Sequence, residues 1–371
     1  MGTFLLREIF YDNISEELDR IGFDAAYSDV ISEKFRHKNV KVYGLSAAQA
    51  NILKQTALIF GADCAVNRNV ITGNIGKSDA ILCGSYSQLK KIAQKLKAQP
   101  FKLAILAEDI LQFLRVETGK TKLAGILNVT PDSFSDGGMY FNPDDAIRKF
   151  EQLVEEGADI VDIGAESTKP FSGPVEAKEQ IRRLKPVLRA VRGVTISVDT
   201  RNAEVADFAL NNGANIINDV SGLESDPKMA EVIARYNAGV IIQHSKGQAE
   251  DIPEYENVVE EVYSSLRDKI IMAEEAGIKN IIIDPGIGFG KSRKDNLKIL
   301  DNIKTYSSLS CPIMVGVSRK RVLGVEAEDN EVKDAMTLAY SYPLIRAGVD
   351  YLRVHNVKLH RQLLNMVENL I

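Results

Sequence analysis

The sequence has few of the residues that would place it among disulfide-rich or zinc proteins. Its 371 residues include three cysteines, none in a CxxC spacing, so we expect neither a disulfide framework nor a cysteine-bound zinc ion. The four histidines also lack the HxH or HxxxH spacing of paired zinc ligands. These absences favour an ordinary globular protein of a reducing compartment.

A surplus of basic residues is also missing. Lysine and arginine number 46 against 51 aspartates and glutamates, and the net charge is -5. Binding along a nucleic acid needs many cations, so we expect no nucleic-acid partner. No apolar run reaches the ~18 residues of a membrane-spanning helix. Residues 1–10 carry no signal-peptide pattern, and we therefore expect a cytoplasmic protein with no membrane partner.

What the sequence does contain, from Leu123 to its end, is one pattern repeated eight times. Each repeat is a short β-branched run, a polar turn and a helix with apolar residues at three- and four-residue steps. This predicts an α/β fold, a (β/α)8 TIM barrel over residues 121–371. An open doubly wound sheet is the alternative, but about five or six strands would suit it better. The predicted strands are Leu123–Val129, Ile160–Ala165, Thr195–Thr200, Asn215–Val220, Val240–His244, Asn280–Asp284, Ile313–Val317 and Tyr351–Val354.

Residues 1–120 follow a different pattern, which predicts a small N-terminal α/β domain preceding the barrel. No set of residues typical of a catalytic site stands in this region, so we expect it to be structural or regulatory. The expected helices are Ser15–Ile21, Ala47–Phe60, Tyr86–Lys97 and Ala107–Leu114, and the expected strands are Val40–Tyr43, Ala65–Ile71 and Ala80–Cys83.

Polar residues stand at the end of every predicted barrel strand. TIM-barrel active sites lie at the C-terminal ends of the strands. A single polar residue there is often only the N-cap of the next helix, but a polar residue on every strand predicts a pocket. The residues that we single out are Asn128, Asp199, Asn218, Asp284, Ser318, Lys320, Arg353 and His355.

Four of these residues predict a site for a flat heterocycle. A carboxylate such as Asp199 or Asp284 can bind an adjacent ring N–H and exocyclic amine with both oxygens. The Asn218 amide can donate and accept, and the Lys320 ammonium can bind a ring carbonyl. A pterin fits this set, although a purine would satisfy the same groups.

A phosphate site is predicted beside it. Arg353 and His355 are two residues apart, hence on one face of a strand, and a cationic pair there suits a phosphate. The alternative is a structural ion pair beside a buried histidine. Asn128 offers an oxygen to Mg²⁺, which keeps several waters and often bridges to phosphates. The run at 290–292, GKS, imitates a nucleotide phosphate-binding loop, but Pro285 stands where that loop needs a glycine.

Taken in order, the motifs of residues 121–371 resemble the dihydropteroate synthase family. The most specific is the segment GILNVTPDSFSDGG. Residues 1–120 resemble an extension that some bacterial and archaeal members carry. The matching segments are 125–138 (GILNVTPDSFSDGG), 166–170 (ESTKP), 197–200 (SVDT), 217–219 (IND), 284–286 (DPG), 318–320 (SRK) and 353–355 (RVH).

This resemblance implies a reaction in folate biosynthesis. Family members join (7,8-dihydropterin-6-yl)methyl diphosphate to 4-aminobenzoate and release 7,8-dihydropteroate and diphosphate. Magnesium is the implied cofactor, a homodimer the implied assembly, and sulfonamides the implied competitors of 4-aminobenzoate. Lys169 stands where the family usually has arginine, and Phe171 where it usually has a small residue.

The resemblance also implies a role for each site residue. The pterin would be bound by Asp199, Asn218, Asp284 and Lys320. The pyrophosphate would be bound by Asn128, Arg353 and His355, with Asn128 also a magnesium ligand. The 4-aminobenzoate site would be bordered by Phe134, Thr168, Lys169, Pro170 and Ser318. The implied catalytic residues are Asp136, which would face the reacting methylene, Lys320, Arg353 and His355.

Two other functions share parts of this pattern. A corrinoid methyltransferase that uses methyltetrahydrofolate can share the barrel and the pterin residues, but it has no use for a pyrophosphate site. A non-catalytic pterin-binding protein would not need the long first loop. Residues 166–170 with Arg353 and His355 favour the synthase over the first, and the intact segment 125–138 favours it over the second.

Overall fold

The computed structural model describes residues 7–9, 14–115, 119–130, 142–166, 175–246, 252–324 and 329–368. The chain divides into two compact units, Met1–Val116 and Glu117–Ile371. None of the described helices is both long and apolar enough to cross a membrane.

The second unit is a closed barrel of eight parallel strands, as the sequence predicts. The strands pair in the order β10-β11-β4-β5-β6-β7-β8-β9, and a parallel bridge between Ile283 and Ile313 joins β9 to the segment before β10. The strands are β4 (Lys122–Asn128), β5 (Ile160–Gly164), β6 (Thr195–Asp199), β7 (Ile216–Asp219), β8 (Gly239–Gln243), β9 (Asn280–Asp284), β10 (Met314–Val315) and β11 (Tyr351–Val354).

One helix or more follows each strand in the part of the chain that the structure describes. Two of the helix starts illustrate how the local sequence fixes where a helix begins. Asn142 caps α6 through its side chain, with Pro143 in the first turn, and Asn202 caps α8 in the same way. The helices are α6 (Pro143–Glu155), α7 (Ala177–Ala190), α8 (Ala203–Asn211), α9 (Met229–Arg235), α10 (Val258–Glu275), α11 (Arg293–Asp301), α12 (Asn330–Ala347) and α13 (Val357–Glu368).

The barrel interior is apolar at one end and polar at the other. Ala124, Ile160, Ile241, Ile282 and Met314 form a separate buried cluster at the N-terminal side of the strands. Because side chains alternate along a strand, the residues two positions further along each strand also face the interior. Among them are polar residues. They form a polar layer, here called the polar floor, on the C-terminal side of the apolar cluster.

The first unit is built on a three-stranded antiparallel sheet of order β1-β3-β2. Its core comes from the buried faces of the sheet, α3, α4 and α5, among them Leu53, Leu82 and Leu89. The elements are α1 (Ile14–Arg20), α2 (Ser28–Phe35), β1 (His37–Leu45), α3 (Ala47–Ile59), β2 (Asp63–Val66), β3 (Ser78–Ser85), α4 (Tyr86–Leu96) and α5 (Leu103–Arg115).

Local differences from the predicted elements have physical reasons. The strand expected at Ala65–Ile71 ends at Val66, because the Asn67 side chain accepts from Asn69 N and starts a turn. Helix α2 was not predicted, and the structure buries none of its residues. Strand β10 is shorter than expected and ends at Val315, because Val317 O accepts from Lys320 N and starts a turn.

Candidate active site

The predicted site residues that the structure describes meet at the C-terminal end of the barrel. Asn128 ends β4, Asp199 ends β6 and Asp284 ends β9. Strand register aligns Asn128 with Gly164, Gly164 with Asp199, and Asp199 with Asn218. Parallel strands in register therefore bring side chains from distant parts of the sequence to one layer.

A buried ion-pair network connects this layer to Asp162, two residues earlier on β5 than Gly164. Arg353 Nε donates to Asp162 Oδ2 at 2.6 Å, and its Nη2 donates to Asp199 Oδ2 at 3.0 Å. Asn218 Nδ2 donates to the same Asp162 oxygen at 3.0 Å. Asp162 is fully buried, so its charge depends on Arg353 as its counter-ion.

Asp162 is a site residue that the sequence reasoning did not single out. It lies in the middle of β5 rather than after it, and so it was passed over in favour of strand ends. The available signal is a carboxylate in an otherwise apolar strand, IVDIG, where a buried charge needs a partner.

Several buried polar atoms face the interior without a hydrogen-bond partner among the described residues. They include two acceptors, Asp162 Oδ1 and Asn218 Oδ1, one amide donor, Gln243 Nε2, and the Ser197 hydroxyl. Leaving such a group unpaired costs about 1–3 kcal/mol, so native proteins seldom tolerate four of them together. The set is what a ligand with several donors and acceptors would satisfy.

Lys320 and Asp284 lie close enough to influence each other's protonation. Burial lowers the pKa of Lys320 to about 8, and the Asp284 carboxylate opposes this shift. Burial also raises the pKa of Asp284, and Lys320 opposes that. Lys320 Nζ donates to Ile287 O at 2.6 Å and lies 4.6 Å from the centroid of the Phe289 ring.

Ser318 and His355 are hydrogen-bonded, with 2.9 Å between Ser318 Oγ and His355 Nδ1. Burial, with Arg319 and Arg353 nearby, lowers the pKa of His355 to about 3. The histidine is therefore neutral at pH 7 in this structure, and its predicted binding of a phosphate together with Arg353 stays a prediction. His355 offers a hydrogen bond rather than a charge.

A carboxylate on α12 fixes the segment that carries Ser318 and Lys320. Arg319, between them, has a left-handed backbone with φ of 58°. Its Nε and Nη2 donate to the two oxygens of Asp334 on α12 at 2.7 and 2.8 Å. Asn356 Nδ2 donates to Asp334 as well, at 3.0 Å. This bidentate pair holds a strained turn in place.

Asn128 fits the role of a single magnesium ligand. It is exposed at the mouth of the barrel, and an amide oxygen is a donor that Mg²⁺ accepts. Among the described residues no group of three or more histidine, cysteine or acidic side chains could hold a metal ion. The donor set therefore fits an ion held mainly by water and substrate phosphates, with one protein oxygen.

Part of the predicted site lies outside the described residues. This applies to the first-loop residues and to the acceptor-loop residues, so their placement stays a prediction. The residues concerned are Phe134, Asp136, Thr168, Lys169, Pro170 and Phe171.

Comparison with known proteins gives consistent matches. A family described as pterin binding enzyme matches residues 124–355. A probable bifunctional folylpolyglutamate synthase/dihydropteroate synthase of Haloferax volcanii is 37% identical over 341 residues, which cover 83% of this chain. The chain spans only 40% of the length of that relative.

Two further matches are shorter proteins. The dihydropteroate synthase of Bacillus subtilis is 39% identical over 261 residues, 68% of this chain and 89% of that protein. A solved dihydropteroate synthase of Xanthomonas albilineans, in complex with 7,8-dihydropteroate, is 35% identical with a TM-score of 0.62. That match covers 69% of this chain and 95% of the solved chain.

Proposed function

The chain belongs to the dihydropteroate synthase family of pterin-binding enzymes, and from that premise we propose that it joins (7,8-dihydropterin-6-yl)methyl diphosphate to 4-aminobenzoate. The observation that carries this proposal is the polar floor of the barrel, where Asp199, Asn218, Asp284 and Lys320 come together. The experiment that tests it measures pyrophosphate released from the pterin diphosphate when 4-aminobenzoate is present.

The pterin is the part of the substrate that the described residues support best. Asp284 and Asp199 accept from ring N–H and amine groups, and Asn218 presents a buried oxygen without a partner among the described residues. Lys320 donates to the ring. These bonds hold the flat ring at the floor, so that the methylene carbon points to the barrel mouth.

The pyrophosphate lies nearer the mouth. Arg353 lies on β11, His355 follows the end of that strand, and Asn128 lies on the neighbouring β4. His355 donates a hydrogen bond, and Arg353 supplies the charge. Asn128 would hold Mg²⁺, which neutralises charge on the leaving phosphates when it is bound.

The acceptor site is proposed from the family resemblance. Ser318 is the described member, and its hydroxyl is already placed by His355. Phe134, Thr168, Lys169 and Pro170 would complete the site.

The reaction breaks the bond between the methylene carbon and the pyrophosphate oxygen, then forms a C–N bond. The aromatic amine is neutral at pH 7, so no strong base is needed to activate it. Negative charge builds on the leaving oxygens, where Arg353 and His355 stabilise it. Positive charge builds on the methylene, which Asp136 would face. The amine loses its extra proton once the C–N bond has formed.

Pterin binding is expected to release a proton near neutral pH. Burial raises the pKa of Asp199 to about 7, with Arg353 opposing the shift. A pterin donor prefers the ionised carboxylate, so binding displaces the proton, and affinity rises as the pH rises toward about 7, a range in which Lys320, with a pKa of about 8, stays charged. Calorimetry in two buffers of different ionisation enthalpy measures the released proton. Proton uptake, or affinity that falls as the pH rises, would contradict the prediction.

Residues 1–116 are expected to be dispensable for the chemistry. The two units have separate apolar cores, and every described site residue belongs to the second. A chain that starts at Glu117 should keep kcat within about threefold, although its yield or stability can fall. Steady-state kinetics of both chains is the measurement, and a folded barrel with no activity would refute the expectation.

We further propose that the protein acts in the cytoplasm and as a homodimer. The cysteines Cys64, Cys83 and Cys311 are free thiols in the structure, which suits a reducing compartment. Light scattering of the purified protein tests the dimer, and a monomer at the assay concentration would exclude it.

A further inference from the structure

The ammonium of Lys320 contacts a glycine-rich segment that follows a strand. Two of its contacts, with the Ile287 carbonyl at 2.6 Å and the Phe289 ring at 4.6 Å, belong to residues 286–290, which follow β9. Gly288 lies under the same side chain, since a Cβ there would stand 3.2 Å from Lys320 Cδ. The place of the ammonium therefore depends on where this segment lies.

The glycine-rich segment is pressed against the backbone that follows β8. A Cβ on Gly286 would lie 1.8 Å from His244 O, and one on Gly290 would lie 1.8 Å from Lys246 O. Both glycines also have positive φ, at 69° and 57°. No side chain larger than hydrogen fits between the two segments, and the buried carbonyls of His244 and Gly286 need donors.

Lys291 supplies these donors. Its Nζ donates to His244 O at 3.2 Å, to Gly286 O at 2.9 Å and to Phe289 O at 3.0 Å. The residue is 5% exposed, and burial lowers the pKa of its ammonium to about 7 while Asp284 opposes the shift. An ammonium has three N–H donors, so all are engaged by backbone. The lysine of the GKS run is therefore turned away from any phosphate.

Other side chains hold the segment at its remaining polar groups. Asn296 Oδ1 accepts from Gly288 N at 2.8 Å, and Tyr255 OH donates to Gly290 O at 3.0 Å. Lys291 differs from these two residues because it joins the segment to His244, the residue after β8. It also donates to the carbonyl of Phe289, whose ring lies against the Lys320 ammonium.

We propose that Lys291 is a positioning residue that ties residues 286–290 to the end of β8 and so orients Lys320 toward the pterin. This inference rests on the proposed function, because it takes Lys320 as a pterin-binding residue. Lys291 does not touch the substrate, and the effect proposed for it passes through the segment that contacts Lys320.

A double-mutant cycle tests the inference. Binding of the pterin diphosphate is measured by calorimetry for the intact protein, Lys291→Met, Lys320→Met and the double variant. Lys291→Met should weaken binding about tenfold when Lys320 is present and less than about twofold when it is absent, because coupled residues are not additive. A structural defect alone would weaken binding equally in both backgrounds.

Arg361→Met is the matched control. Arg361 also donates to a backbone carbonyl, that of Gly157, at 3.2 Å, but at the opposite end of the barrel. Its loss should leave pterin affinity unchanged in either background. If Lys291→Met does not fold, Lys291→Gln, whose amide keeps two N–H donors, enters the cycle, and its smaller loss of affinity should again require Lys320.

Each outcome decides a different claim. Equal weakening in both backgrounds overturns the role of Lys291 and leaves the proposed function intact. Failure of the intact protein to bind the pterin diphosphate overturns the proposed function, and the inference falls with it. If Lys291→Met weakens binding of the pterin diphosphate only when Lys320 is present, the result supports both the role of Lys291 and the proposed function.

Discussion

Replacing Asp284 by asparagine lowers kcat/KM for the pterin substrate while the barrel stays folded. Asp284 is 4% exposed at the end of β9, and its Oδ1 accepts from Gly286 N at 2.7 Å. The amide presents N–H where the pterin needs an acceptor. Two charge-assisted hydrogen bonds, each worth about 1.5–3 kcal/mol, are weakened, which predicts a loss of at least about 100-fold. Initial rates at low pterin concentration measure it.

Asp350→Asn is the control for this change. Asp350 is half-buried, and its Oδ2 accepts from Ile313 N at 2.8 Å, but it precedes β11 at the N-terminal end of the barrel. Its replacement should leave kcat/KM unchanged. Equal losses in Asp284→Asn and Asp350→Asn would show that the effect is structural and would remove Asp284 from the pterin site.

Arg353→Ala is expected to destabilise the protein as well as to weaken binding. The substitution leaves Asp162, which is fully buried, without its counter-ion. Removing one partner of a buried ion pair costs about 3–5 kcal/mol in the free energy of unfolding. Urea denaturation measures this cost. Adding Asp162→Asn should restore part of the loss, because a neutral amide needs no counter-ion.

Two comparisons separate the roles of Arg353. Arg361→Ala removes a half-exposed ion pair with Asp159 and should cost no more than about 1 kcal/mol. Arg353→Ala should lower the affinity for the pterin diphosphate more than the affinity for free hydroxymethylpterin, since the guanidinium would contact the phosphates. Equal losses for both ligands would exclude a phosphate contact.

The barrel and much of its site were predictable because each depends on local pattern. Eight repeats of strand and helix fix a closed parallel sheet, and parallel strands carry their end residues to one face. The family inferred from the ordered motifs is confirmed by the match over residues 124–355. Asp199 and Asp284 could thus be grouped without coordinates.

The remaining features depend on packing that the sequence does not reveal. The neutral state of His355 follows from burial beside Arg319 and Arg353, which only the fold brings together. Asp162 gains its importance from Arg353, 191 positions away in the chain. In the sequence, Lys291 belongs only to a GKS run that does not complete a phosphate-binding loop. Its carbonyl partners are known only from the structure, where the segments after β8 and β9 are in contact.

The central claim is tested most directly by turnover of the intact chain. The protein is incubated with (7,8-dihydropterin-6-yl)methyl diphosphate, 4-aminobenzoate and Mg²⁺, and pyrophosphate and dihydropteroate are measured together. The two products should form in equal amounts, with no dihydropteroate when 4-aminobenzoate is omitted and a strongly reduced rate for Asp284→Asn. A folded protein that binds the pterin diphosphate but forms no dihydropteroate would contradict the assignment.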